Sequence, residues 1–156
     1  MNNHRKAPRR AAAPAFPDDY LPYLVARASH VVLRDFHALL PRGMRVPEWR
    51  VLGTLSRGGG YTVGALARAT LFKQPTLSKV LDRLERRGLV RRVAGGMDLR
   101  QSMVELTAKG RKRIRPVVAA ARRREKAFLR DFRPADVKAL KRLLQGFADR
   151  LEGKGR

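Results

Sequence analysis

Between residues 21 and 40 apolar side chains return every three or four positions, at Leu21, Leu24, Val25, Ala28, Val31, Val32, Phe36 and Leu39, which predicts an amphipathic helix closed by Pro41 and Gly43. Pro47 opens a second helix with Trp49, Val51, Leu52 and Leu55 as its bulk, and Gly58, Gly59 and Gly60 form its exit. A short third helix follows, capped by Thr62, with Val63 packing at its entrance, Leu66 and Ala69 in its stripe, and an end near Thr70. Leu71 and Phe72 make an apolar step expected to plug the angle to a fourth helix. That helix starts near Lys73, since Pro75 is tolerated in a first turn whose N–H groups lack helical partners. Its back carries Leu77, Val80, Leu81, Leu84 and Leu89; its front carries Gln74, Thr76, Ser78, Lys79, Asp82, Arg83 and Arg86. Gly88 is the expected left-handed residue that ends it.

The period then changes from helical to alternating. Leu89, Val90 and Val93 read as a strand, Gly95 and Gly96 as a hairpin bend, and Ser102 to Leu106 as the returning strand; in a winged domain the third strand often comes from just before the helix pair, where Tyr61 or Thr62 stands. Thr107 begins a long helix bearing Ile114, Val117, Val118, Ala121 and Phe128, with Pro116 inside it. Pro134 to Leu151 repeats apolar residues at Val137, Leu140, Leu143, Leu144, Phe147 and Leu151. Neither C-terminal helix is needed to bury the compact middle of the chain. Their stripes either cover one another or, with that of the first helix, meet a second copy in a two-fold dimer.

Helix, sharp turn, basic helix and hairpin in immediate succession is the order of a winged helix-turn-helix, a device for reading duplex DNA. Between Lys73 and Arg100 eight basic residues stand against three acids, an excess of five positive charges on the expected reading surface. Backbone phosphates are the matching counter-charge. The plainer reading is a scaffold whose arginines are solvated surface.

The run PEWRVLGTL from Pro47 to Leu55, then LARAT, then QPTLSKVLDRLERRGLVRR and MDLRQSMVELTAKG from Met97 to Gly110, resembles the MarR family of bacterial and archaeal transcription regulators. The resemblance spans roughly residues 20 to 150, and its most specific part is the spacing of Asp98, Arg100, Val104, Leu106, Thr107 and Gly110. It implies a mainly α fold with a small antiparallel β wing, in which N- and C-terminal helices of two subunits join into a triangular dimeric body. Two reading helices would then face successive major grooves of an inverted repeat. The resemblance places the helix opening near Lys73 in the major groove, inserts Arg100 into the minor groove, and gives Asp98 the task of shaping the wing. Lys73 departs from the pattern, standing where Ser, Thr, Asp or Asn is common. Control by a small aromatic or phenolic anion is also implied, with His30, Arg34, His37, Arg45 and Trp49 on segments suited to a pocket. For His30 and His37 a core or interface role competes with a ligand role, and three sparse histidines argue against a metal site.

Residue chemistry narrows the DNA contacts. Lys73, Gln74, Thr76, Ser78, Lys79 and Arg83 are the expected major-groove set: Gln pairs with adenine, Arg or Lys with guanine, and Thr or Ser adapts to either. Arg57, Arg91 and Arg92 are expected on phosphates, with Asp98 and Arg100 at the wing.

The chain has 156 residues, 44% hydrophobic, and a net charge of +23. It has three His and no Cys, so disulfides, cysteine zinc sites and cysteine redox sensing are excluded. No apolar run is long enough to span a membrane and the basic N-terminal segment lacks a signal's apolar core, so cytoplasm is the expected compartment. Residues 1–17 read as a basic disordered tail, with Arg5, Lys6, Arg9 and Arg10 either merely solvated or adding phosphate attraction. The expected domains are then an N-terminal dimerisation helix at 18–46, the winged domain at 47–107, C-terminal dimerisation helices at 108–152 and a flexible tail at 153–156. No phosphate loop, HExxH or GxSxG motif or cysteine nucleophile supports an enzyme, and no cofactor is expected. Two functions compete: a sequence-specific homodimeric regulator, usually a repressor released by ligand, and an architectural protein that binds DNA with little sequence preference.

Overall fold

The computed structural model describes residues 16–94 and 102–153. The chain divides into a unit ending at Ala38 and a second beginning at Leu39. The first contains α1 (Leu21–His37), with Pro22 in its first turn and no buried residue. Leu21, Leu24, Val25, Val31, Val32 and Leu33 are all exposed along it.

The second unit runs α2 (Val46–Leu55), β1 (Tyr61–Thr62), α3 (Val63–Thr70), α4 (Gln74–Arg86), β2 (Val90–Ala94), β3 (Ser102–Leu106), α5 (Ala108–Phe128) and α6 (Pro134–Gly153). Its core is Val51, Leu52 and Leu55 from α2, Leu66 from α3, Leu77, Val80, Leu81 and Leu84 from α4, Val90, Val104 and Leu106 from the sheet, and Ile114 and Val117 from α5. Each large aliphatic side chain so buried contributes about 1.5–3 kcal/mol. The sheet is antiparallel in the order β1-β3-β2, with Tyr61 opposite Val104 and Val90 opposite Leu106. The helix pair followed by this sheet is a winged helix-turn-helix.

Local chemistry sets the boundaries. Thr62 Oγ1 accepts a hydrogen bond from Ala65 N at 3.1 Å and starts α3. The helix ends at Leu71, a left-handed residue with φ 57°. Leu71 is 69% exposed, so it does not plug the interhelical angle as the apolar step suggested. Its left-handed backbone turns the side chain outward, and only Phe72 turns partly inward, with the Arg50 guanidinium 5.1 Å from its ring centroid. Gly88, at φ 66°, terminates α4, and Leu89 N reaches back to Leu84 O at 2.9 Å.

The start of α5 is docked on that corner. Thr107 Oγ1 donates to Gly88 O at 2.7 Å and accepts from Gly110 N at 3.0 Å. Gly110 sits so close to Leu89 that a Cβ there would lie 2.0 Å from the Leu89 carbonyl oxygen. The Thr-x-x-Gly spacing is thus the cap and the contact that fix the long helix to the end of α4.

Candidate nucleic-acid interface

The back of α4 is anchored by Leu77, Val80, Leu81 and Leu84, all buried. With that face fixed, the 3.6-residue period leaves Gln74, Thr76, Ser78 and Lys79 exposed on the other side, together with Lys73 at the N-cap. None of these five side chains has a hydrogen-bond or ion-pair partner among the described residues. Lys73 provides no side-chain cap, so the first-turn N–H groups of Gln74 and Thr76 stay open. A helix start with free N–H groups and a lysine beside it favours an anion such as a phosphate. The front therefore offers an amide, two hydroxyls and two ammonium groups to a groove.

Arg83 is placed differently. Its Nη1 lies 3.8 Å from Glu48 Oε1, and Arg87 Nη1 donates to Glu48 Oε2 at 2.9 Å and, through Nη2, to Gly43 O at 3.1 Å. Glu48 is 2% exposed on α2 and also accepts from Arg45 N at 3.2 Å. One buried carboxylate thus holds the C-terminal half of α4 to the start of α2. Arg83 joins this clamp while remaining partly exposed, so it stands at the edge of the reading face rather than on its open front.

The arginines leading into the wing are also matched inside the chain. Arg91 pairs with Glu105 at 3.0 Å. Arg92 pairs with Asp82 at 2.8 Å and with Glu85, bracing β2 against α4. The hydrogen bond from Arg92 to Asp82 raises the Arg92 guanidinium above its ordinary value; partial burial opposes this, and the charges of Glu85 and Asp82 add to it. Arg57, beyond α2, is exposed and has no partner among the described residues. The cations here without an acidic partner among the described residues include Lys73, Lys79, Arg57 and Arg86, whose Nε donates only to the Asp82 carbonyl oxygen at 3.4 Å, while Arg91 and Arg92 are part of the wing's own bracing. Asp98 and Arg100 lie outside the described residues, as do Gly95 and Gly96.

Of the residues expected around an effector, His30, Arg34 and His37 are exposed along α1. Arg45 is the N-cap of α2 and Trp49 lies one turn on. Trp49 lines a cleft of about 360 Å³ with Arg50, Gly53, Arg57, Thr70 and Val118. Its indole passes over Gly53, 3.5 Å from where a Cβ would stand. Sequence reasoning placed Asp82 on the front of α4 but foresaw no pairing role for Glu48, Asp82 or Glu85; the one local signal was the Arg45-x-x-Glu48 spacing of a helix start. Among the described residues no group of His, Asp or Glu could hold a metal ion, and no helix is long and apolar enough to cross a membrane.

Comparison with known proteins converges on one family. The family model described as MarR family matches residues 42–101. The HTH-type transcriptional repressor Rv2887 of Mycobacterium tuberculosis is 36% identical over 108 residues, 67% of this chain and 78% of that protein. The crystal structure of the MarR family transcriptional regulator SPO1453 of Silicibacter pomeroyi DSS-3 is 34% identical with a TM-score of 0.75, covering 88% of this chain and 99% of that one. A likeness in fold extends to BpsR of Bordetella bronchiseptica, whose DNA binding is regulated by 6-hydroxynicotinic acid; it is 24% identical with a TM-score of 0.71, covering 83% of this chain and 99% of that one.

Proposed function

The chain belongs to the MarR family of transcription regulators, and on that premise we propose that it is a homodimeric repressor that acts in the cytoplasm on an inverted-repeat operator. The observation that carries this reading is the open front of α4, where Gln74, Thr76, Ser78 and Lys79 are exposed and unpartnered on a helix whose back is locked into the core. Side chains already engaged within the protein would have to break those contacts to meet a base; these need not. The phosphate contacts fall to Lys73, Lys79 and Arg57, with the wing's Arg100 in the minor groove and Asp98 shaping its turn.

The dimer is supported by apolar surface. Leu140, Leu143, Leu144, Phe147 and Leu151 step along one side of α6 with exposures between 43% and 63%, and α1 carries a comparable row. Such stripes are stable in water only when covered, and a two-fold partner brings identical stripes together. Repression follows the naming of relatives such as Rv2887. For release, the Trp49 cleft offers an aromatic wall beside Arg50 and Arg57, which suits a small aromatic or phenolic anion.

The net charge of +23 favours the second reading, an architectural protein bound mainly through phosphates. The two are separated by saturation mutagenesis of a bound duplex. A regulator loses about 1–3 kcal/mol at individual base pairs, and Gln74→Ala or Thr76→Ala flattens the profile at particular positions. An architectural protein has a flat profile that neither substitution alters.

A further inference from the structure

A second cavity, of about 570 Å³, opens between the turn at Gly58 to Gly60, strand β3 and the first half of α5. Its lining includes Leu55, Leu106 and Ile114, which are otherwise buried, and Val118. It also includes Arg111, Arg115 and Arg122. Positions 111, 115, 118 and 122 are spaced by four, three and four, so they share one face of α5. The cavity therefore has an aliphatic side and a cationic one.

Its charge is not balanced from within. Glu105 is the one acid lining it, and that carboxylate is held by Arg91 at 3.0 Å. Arg111 Nη1 donates to Leu106 O at 2.7 Å, which fixes its position and leaves its charge uncompensated. Arg115 and Arg122 have no partner among the described residues. At the rim, Gly58 and Gly59 have φ of 86° and 84°, and a Cβ on either would meet nothing within 4 Å. That backbone region disfavours side chains, so the mouth stays uncovered.

An inorganic anion would meet the arginines and leave the aliphatic wall wet, whereas a neutral apolar molecule would cover that wall and desolvate arginines without compensating them. No aromatic side chain lines the cavity, unlike the Trp49 cleft, so there is no ring against which a planar ligand could stack. The volume falls within the usual range for small-molecule sites, about 300–1,000 Å³. We propose that this cavity binds an organic anion with an aliphatic or alicyclic body, its charged end held by Arg115 and Arg122 and its body against Leu55, Leu106 and Ile114. The occupant would lie on β3, the strand between β1 and β2 at the base of the wing. Binding depends on the second unit alone; only its consequence for operator affinity rests on the regulator reading.

The cavity and the Trp49 cleft share Ser56, Val118 and Arg122, but Ile114, the only isoleucine, lines the cavity alone and Trp49, the only tryptophan, lines the cleft alone, so each carries its own reporter. The full chain, labelled with ¹³C at isoleucine methyl groups, is titrated with adamantane-1-carboxylate, with the neutral adamantane-1-methanol and with 2-naphthoate, while Trp49 fluorescence is followed in parallel. The expected result is a saturable shift of the Ile114 methyl with adamantane-1-carboxylate. Affinity should be at least about tenfold weaker for the alcohol and for the Arg115→Met/Arg122→Met protein. A Val118→Phe variant, which narrows the cavity without changing charge and without adding a second tryptophan, should also lose the shift. Circular dichroism and the unliganded Ile114 resonance establish that each variant is folded. A silent Ile114 methyl, equal binding of acid and alcohol, indifference to both variants, tighter binding of 2-naphthoate at Ile114, or a response confined to Trp49 would each overturn the proposal. DNA preference of the parent protein, measured without probe, fails or holds independently of this titration.

Discussion

Replacing Glu48 tests whether a buried charge, rather than apolar packing alone, holds the reading helix in place. Glu48→Ala removes three things: the hydrogen bond to Arg87 at 2.9 Å, the acceptor for Arg45 N, and the attraction of Arg83 at 3.8 Å. A hydrogen bond to a charged group is worth about 1.5–3 kcal/mol, and a helix-start acceptor about 1 kcal/mol. The Arg83 and Arg87 side chains are both 37% exposed, so water takes over part of what they lose, and the low end of the first figure applies. Relief of the carboxylate's desolvation offsets part of the remainder. The net loss expected is about 2–3 kcal/mol for Glu48→Ala, and about 1–2 kcal/mol for Glu48→Gln, which keeps an acceptor but no charge. Urea unfolding measures it, with protein concentration held constant because dimerisation contributes by mass action. A double-mutant cycle with Arg87→Met should return a coupling of about 1 kcal/mol or more. A loss below about 0.5 kcal/mol for Glu48→Ala, or additive single variants, would refute the clamp.

Other consequences are equally direct. Gly110→Ala forces a Cβ against the Leu89 carbonyl and should cost about 3 kcal/mol; a melting temperature within about 2 °C of the parent would show that the α5 start is not seated this way. Lys79→Ala should lower the salt slope of operator binding by about 0.9 per subunit, and Arg92→Met by much less, since Asp82 and Glu85 already compensate Arg92; equal slopes for the two variants would contradict that division. Arg100→Ala should weaken binding and relax preference at flanking A·T pairs, and unchanged binding to both operator and random duplex at matched salt would remove it from the minor groove.

What could be read from the residues alone was local. Thr62 as a cap, Lys73 as an uncapped start, Gly88 as a stop and the four-strong apolar back of α4 are each decided within a few positions by backbone and side-chain chemistry. The two-residue strand at Tyr61–Thr62 was legible only through the fold, since a winged domain takes its third strand from just before the helix pair. The ion pairs were not. Glu48 meets Arg83 and Arg87 from 35 and 39 positions away, and Arg92 meets Asp82 across a helix end and a turn, distances over which periodicity carries no information. Counting charges therefore overstated how many cations near the wing are open to DNA. Leu71 misled in another way, because an apolar side chain in a left-handed position points where the backbone sends it rather than toward the core.

The central claim is that the open front of α4 selects sequence. The most direct measurement is recovery of bound fragments from the source organism's own DNA at physiological salt, followed by comparison of the enriched site with a shuffled duplex. A short inverted repeat bound on the order of 10³-fold more tightly than its shuffle is the expected result. Broad recovery, with an affinity that falls steeply with salt and ignores sequence, would contradict the account and leave phosphate attraction as the whole of the interaction.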